Sequence, residues 1–124
     1  MSEEQEMIVY LSTHADDNAE KAAVPFVLAG AALVMDIKAV IVLQGESVKL
    51  AQKGFVETMP QPGGFSPFPK LFSDFIELGG ELHVCVPCIK SRGIEESALI
   101  EGAKTIAAAQ VNLLALKADA LFTF

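Results

Sequence analysis

Short apolar runs alternate with stretches of helical periodicity along the whole chain. The apolar runs predict strands at residues 7–12, 39–43, 81–86, 104–106 and 120–124. The helical patterns between them predict helices at residues 19–35, 47–52, 71–78 and 107–117, and a short helical turn at 87–92. This alternation is typical of α/β proteins. We therefore predict a single three-layer α/β/α domain over residues 1–124, with a mostly parallel sheet of about five strands.

Two segments interrupt the simple pattern. The helix predicted at residues 19–35 is apolar over much of its circumference, so we expect the sheet on one side and a partner subunit on the other. Pro25 lies inside it and predicts either a kink or a helix start near that residue, because proline lacks a backbone N–H. Residues 55–69 hold four prolines and two glycines and predict a loop.

Composition and charge narrow the classes of partner. The chain is 52% hydrophobic, more than a small domain can bury, so we expect self-association. Its net charge is −7 and its nine basic residues form no run, which disfavours nucleic acid and anionic membranes as partners. The acidic start of the chain, the segment SEEQE at residues 2–6, predicts a solvated terminus. No apolar stretch has the length of a membrane span, and we expect a cytoplasmic protein.

Polar side chains follow three of the predicted strands. Parallel sheets bind ligands beyond the carboxyl ends of their strands, so these side chains are expected to converge at one edge. They are His14, Asp16 and Asp17 after the first strand, Gln44 and Glu46 after the second, and Cys85 and Cys88 after the third.

The Cys85-Val86-Pro87-Cys88 segment has the clearest chemical potential. Cys85 ends a predicted strand, and Pro87 suits the first turn of the helix that follows. A helix N-terminus stabilises a thiolate, and Arg92 adds positive charge nearby. The pattern predicts a lowered pKa for Cys85, which would suit a nucleophile or a persulfide carrier.

Other interpretations of these residues remain open. Both cysteines could be small buried packing residues, or they could form a dithiol–disulfide switch. A closed zinc site needs four ligands, and only the two cysteines, His14 and His83 offer soft ones, so a metal would have to be shared between subunits. His14 could transfer protons or simply bond to the backbone of its turn. No phosphate-binding loop or nucleophile elbow occurs, and we predict no cofactor.

Four segments together resemble a known family. They are residues 20–32, residues 44–48, the stretch VCVPCIKSRGI at residues 84–94, and residues 118–124. In this combination the chain resembles the DsrE/DsrF-like sulfur-relay proteins, which include the YchN-like and TusD-like groups. The resemblance implies a parallel α/β/α fold that assembles into homotrimers or homohexamers.

The resemblance also implies a role for the cysteines. Sulfur-relay members carry sulfur as a persulfide on the cysteine that matches Cys85 and pass it to a small thiol protein. A second cysteine at Cys88 could resolve that persulfide into a disulfide. We therefore expect sulfur transfer centred on Cys85 and Cys88, assisted by His14, with Gln44, Glu46 and Arg92 as binding residues. The alternatives are a non-enzymatic oligomeric binding or assembly module and a thiol redox sensor.

Overall fold

Five strands and four α-helices alternate in the computed structural model, which describes residues 5–124. The elements are β1 (Met7–Ser12), α1 (Ala19–Val34), β2 (Lys38–Leu43), α2 (Phe68–Glu77), β3 (Glu81–Cys85), α3 (Val86–Ser91), β4 (Ala103–Ile106), α4 (Ala108–Lys117) and β5 (Ala120–Thr123). Three 3-10 helices, Gly45–Ala51, Phe55–Thr58 and Glu96–Ala98, lie in the connections. Of the acidic start, residues 2–4 lie outside the described part. The predicted α/β class is confirmed.

The strands form one sheet in the order β4-β3-β2-β1-β5. Every neighbouring pair is parallel, so the carboxyl ends of all five strands lie at the same edge. Within residues 5–124 no helix is long and apolar enough to cross a membrane.

One face of the sheet is covered by α1 and α2. Phe26 of α1 is fully buried, and its ring lies 5.3–5.5 Å from the rings of Phe68, Phe72 and Phe75 in α2. The second side of α1 therefore packs against α2, where we had expected a partner subunit.

The other face of the sheet is covered by α4. The buried residues Val9, Val40, Val42 and Ile106 form a small cluster there, and Leu114 of α4 packs against it. No residue of α4 is itself fully buried, and Leu116 is 82% exposed. The three layers are present, but the two helical layers differ greatly in burial.

The start of α1 agrees with the predicted helix at residues 19–35, whereas the start of α2 differs from its prediction. α1 begins at Ala19, with the Asn18 side chain accepting a bond from the backbone N–H of Lys21, and it continues through Pro25. A start near Pro25 is therefore wrong. α2 begins at Phe68, three residues earlier than predicted, because Pro69 fits the first turn of a helix, where a missing N–H costs little.

Candidate functional site

The ends of β1 and β2 are tied together at the carboxyl edge of the sheet. Ser12 pairs with Leu43 in the parallel register, and the backbone N–H of Gln44 donates to the Ser12 carbonyl at 2.9 Å. The buried Ser47 hydroxyl donates to the same carbonyl at 2.7 Å and accepts from the Gln44 N–H at 2.9 Å. This hydroxyl fixes the turn that carries Gln44 and Glu46.

Cys85 and Cys88 meet where β3 passes directly into α3. Cys85 is both the last residue of β3 and the N-cap of α3, and Pro87 lies in the first turn, as predicted. The two Sγ atoms lie 2.7 Å apart in a hydrogen bond in which either thiol can donate. Both thiols are free and half-buried. The pair is thus close enough to share a proton and to react together.

The pKa of Cys85 is raised above its ordinary value, so the prediction of a lowered pKa is wrong. Burial of the thiol is the largest cause, and the hydrogen bond to Cys88 adds to it because a protonated Cys85 can donate to the neighbouring sulfur. The backbone N–H of Cys88 and the charge of Arg92 act in the opposite direction but do not prevail. The short helix α3 does not compensate for burial of the thiol.

A cavity of about 260 Å³ lies beside Cys85. Residues from the turn after β2 and from β3, α3, β4 and the start of α4 border it: Gln44, Cys85, Pro87, Ile106, Ala107, Ala108, Val111 and Asn112. Cys88 does not border the cavity. The two thiols therefore have different surroundings, and Cys85 is the one placed to meet a molecule bound there.

A chain of ion pairs connects α3 to the turns after β2 and β1. Arg92 donates through Nε and Nη2 to the same carboxylate oxygen of Glu46, at 3.0 Å each. Lys49 bridges Glu46 at 2.7 Å and Asp16 at 2.8 Å. The hydrogen bonds with Lys49 are the largest cause of the lowered pKa values of Glu46 and Asp16. Arg92 also donates to the Cys88 carbonyl at 3.2 Å, so it links this chain to the cysteine segment.

His14 lies at the same sheet edge and is oriented by Asp17. Its Nδ1 contacts one Asp17 carboxylate oxygen at 2.7 Å, and the other oxygen accepts from the Ala15 N–H at 2.7 Å. The bond from Ala15 is the largest cause of the lowered pKa of Asp17. Within residues 5–124 no hydrogen bond joins His14 to Cys85 or Cys88. The structure therefore brings together the cysteines, Gln44, Glu46 and Arg92 more directly than it brings in His14.

No metal site is formed within a single subunit over the described range. His83 faces the α4 side of the sheet and its Nε2 contacts Glu81 at 3.4 Å. Residues 5–124 contain no group of three or more His, Cys, Asp or Glu side chains arranged to hold a metal ion. A site shared between subunits stays a hypothesis.

The family follows from the match over most of the sequence. Residues 7–124 match the model of the DsrE/DsrF-like family. The chain belongs to the DsrE/DsrF-like family. It is 36% identical over 95 residues to the uncharacterized protein MJ0760 of Methanocaldococcus jannaschii, a match that covers 74% of this chain and 33% of MJ0760. The uncharacterized protein MJ0989 of the same organism is 33% identical over 93 residues, which cover 75% of this chain and 77% of MJ0989.

Solved structures share the DsrE/DsrF-like architecture. The YchN protein of E. coli superposes with a TM-score of 0.79 at 20% identity, over 97% of this chain and all of YchN. MTH1491 of Methanobacterium thermoautotrophicum, a protein of unknown function, superposes with a TM-score of 0.63 at 9% identity, over 98% of this chain and all of its own. At these identities the likeness shows the fold, and it confirms the predicted one.

Sequence reasoning missed part of the site in this DsrE/DsrF-like chain. The start of α4 borders the cavity through Ala108, Val111 and Asn112, and Lys49 joins the turns after β1 and β2. β4 pairs directly with β3, which places the segment after β4 beside Cys85. The strand order supplies this proximity, and no local motif near residue 112 signals it.

Proposed function

We propose that the protein carries sulfane sulfur as a persulfide on Cys85, with Cys88 as the resolving thiol. The observation that carries the proposal is the 2.7 Å approach of the two sulfurs at the strand-to-helix junction. Because Cys85 borders the 260 Å³ cavity and Cys88 does not, we assign Cys85 the role of accepting sulfur. Membership of a family related to sulfur relay supports this chemistry.

Loading is a single displacement at sulfur. The Cys85 thiolate attacks the outer sulfur of a donor persulfide, R–S–SH, and forms a new S–S bond. The donor's own S–S bond breaks, and R–S⁻ leaves with the electron pair. In the transfer direction, an acceptor thiolate on a small carrier protein attacks the outer sulfur of the Cys85 persulfide and restores the Cys85 thiolate.

Resolution is the second fate of the persulfide. The Cys88 thiolate attacks the inner sulfur on Cys85, an intramolecular disulfide forms, and HS⁻ leaves. An external dithiol must then reduce the disulfide before another cycle. The short distance between the two sulfurs favours this route whenever no acceptor is bound.

The remaining predicted residues have supporting roles in this proposal. The Gln44 amide borders the cavity and can bond to a bound donor. Arg92 and Glu46 hold the end of α3 against the turn after β2, and the Arg92 charge favours the Cys85 thiolate. His14, held by Asp17, is assigned proton transfer to or from an incoming group.

The raised pKa of Cys85 sets the expected pH dependence of loading. Only the thiolate attacks a persulfide, so raising the pH towards and past the ordinary thiol range should increase the rate. Substituting Cys88→Ala removes one cause of the raised pKa, so the pH profile of Cys85 loading should move to lower pH. The readout is the initial rate of Cys85 modification against pH in both proteins.

Mass spectrometry after incubation with a persulfide donor tests the proposal directly. Wild-type protein should gain one sulfur atom on Cys85, and Cys85→Ser should gain none. Cys88→Ser should keep the adduct longer, because the resolving thiol is absent. His14→Gln should load more slowly while unfolding at the same denaturant concentration. A wild-type protein that stays unmodified with several competent donors would refute the proposal.

A non-enzymatic assembly module is the second candidate function. Two observations favour it: the raised pKa of Cys85 and the exposed apolar side chains on the α4 side of the sheet, Leu113, Leu116 and Leu121. We propose that this surface contributes to a homotrimer or homohexamer. Light scattering should then show a smaller mass for Leu116→Glu than for the wild type. Assembly without any sulfur loading would favour this second function, and cytoplasmic location stays a prediction under both.

A further inference from the structure

We infer that the cavity beside Cys85 binds the uncharged body of a small persulfide donor, so that persulfides without a carboxylate load Cys85 in preference to those with one. The inference rests on the proposed function, because it names the class of donor for that reaction. Its basis is the chemistry of the cavity lining.

The lining contains no ionisable side chain other than Cys85. The charged groups at this edge are already engaged with one another, since Arg92 bonds to Glu46, and Lys49 to both Glu46 and Asp16. A carboxylate on a donor would therefore lose hydration without gaining a cation.

The other flank of α4 provides a contrast. A second cavity, of about 320 Å³, lies there and is bordered by Lys104 and Lys117 together with His83. The fold thus places basic side chains along one flank of α4 but none in the lining next to Cys85. An anionic donor drawn to the basic flank would not be held in the cavity that Cys85 borders.

The size and polarity of the Cys85 cavity limit its ligand further. Since one water occupies about 30 Å³ in the liquid, a cavity of about 260 Å³ accommodates on the order of nine non-hydrogen atoms. Gln44 and Asn112 contribute amide groups, and Pro87, Ile106 and Val111 contribute apolar surface. The cavity therefore fits a compact donor whose body has one or two uncharged groups that can form hydrogen bonds.

α4 borders the cavity with its N-terminal part, from the N-cap Ala107 to Asn112. Ala107 and Ala108 recur on the same face as Val111 and Asn112, three to four positions later. The backbone N–H of Ala107 already donates to the Gln110 side chain at 2.8 Å, so this N–H is not free to bind a donor carboxylate. With the body held there, the Cys85 thiolate attacks the outer sulfur, the donor's S–S bond breaks, and R–S⁻ leaves the cavity with the electron pair.

Two donors that differ in one charge test the inference. They are the persulfides of N-acetylcysteine, whose body carries a carboxylate, and of its methyl ester, whose body is uncharged. The initial rate of Cys85 loading is measured by mass spectrometry on the full chain at physiological salt. Each rate is divided by the rate for a free cysteine peptide, which corrects for intrinsic reactivity. The ester should load about tenfold faster or more, because the anion must be desolvated without a partner.

A matched pair of variants separates the cavity from the overall charge of −7. Asn112→Lys places a cation in the lining and should abolish or reverse the preference. Ala109→Lys places the same charge on the same helix at an exposed position outside the lining, and should leave the preference intact. Equal corrected rates for the two donors in the wild type, or equal effects of the two variants, would overturn the inference.

Inorganic polysulfide has no organic body, so its loading does not depend on the fit of a donor in the cavity. It therefore distinguishes failure of the inference about the donor from failure of the proposed function. If polysulfide loads Cys85 but the two organic donors load equally, the inference about the donor is wrong and the sulfur-carrier function stands. If no donor loads Cys85, the proposed function itself fails.

Discussion

On one face of the sheet, α1 and α2 bury a continuous aromatic and aliphatic cluster, whereas on the other face α4 covers the strands without fully burying any residue of its own. Within β3, Leu82 and Val84 are buried in the first cluster, while the half-buried Cys85 packs against that cluster and also borders the cavity beside α4. The difference indicates that stability resides mainly on the α1/α2 face. The reactive thiol lies where packing leaves room for a ligand.

The largest expected effect comes from Phe26→Ala on the α1/α2 face. Phe26 is 1% exposed and meets three rings of α2, so its truncation should lower the free energy of unfolding by about 3–5 kcal/mol. Leu114→Ala on the α4 face should cost only about 1 kcal/mol, because Leu114 is half-buried. Urea unfolding measures both, and equal losses would contradict the difference between the faces. If the free energy of unfolding lost on Leu114→Ala increases with protein concentration, another copy of the chain covers α4.

A smaller loss is expected from Gly80→Ala at the entry to β3. A Cβ atom at this position would overlap the ring of Phe75, which is fully buried against Phe26. The ring must move, and the free energy of unfolding should fall by about 1–3 kcal/mol. Gly64→Ala is the control, because no atom lies within 4 Å of its added Cβ. Thermal unfolding that shifts equally for both variants would show that the Phe75 ring accommodates the change.

The smallest effect should come from Glu46→Gln at the edge where the two faces meet. The pKa of Glu46 is lowered in the folded protein. Its ion pairs therefore stabilise the fold fully at pH values above the unfolded pKa of about 4.3. This stabilisation is lost as the pH falls through the lower pKa of the folded state. Since Glu46 is more than a third exposed, the loss at pH 7 should be about 0.2–1 kcal/mol.

The control for Glu46→Gln is Glu57→Gln, because Glu57 forms no ion pair among residues 5–124. Urea unfolding at pH 7 should distinguish Glu46→Gln from the wild type, and at strongly acid pH the two should coincide. A difference that persists in acid would mean that the side chain acts through packing.

The strands and the position of the cysteine pair could be predicted from sequence because they depend on local patterns. Residues 39–43 form a continuous apolar run that is typical of a buried strand, and Pro87 is typical of the first turn of a helix. Neither signal depends on residues distant in the chain. The pKa direction of Cys85 could not be predicted, because it depends on how deeply the thiol is buried by residues distant in the chain. The covering of α1 by α2 depends likewise on tertiary packing.

The cavity beside Cys85 could not be predicted from the sequence for a related reason. Asn112 lies beside Cys85 only because β4 pairs with β3. The alternation of strands and helices along the sequence does not determine the order of the strands in the sheet. Lys49 is a similar case, since the lysine joins two turns that follow different strands. Residues that act across the sheet edge are thus the ones that local motifs do not reveal.

The pairing of β1 with β5 has a consequence for how the chain reaches this fold. Met7 bonds to Asp119, 112 positions away, and Tyr10 stacks on Phe122 at 5.6 Å. Closing so long a loop is slow, so this side of the sheet should form late in folding. Until β5 arrives, β1 is an apolar edge strand with unpaired backbone groups, the kind of edge at which chains aggregate. Productive folding therefore depends on β5 reaching β1 before another molecule does.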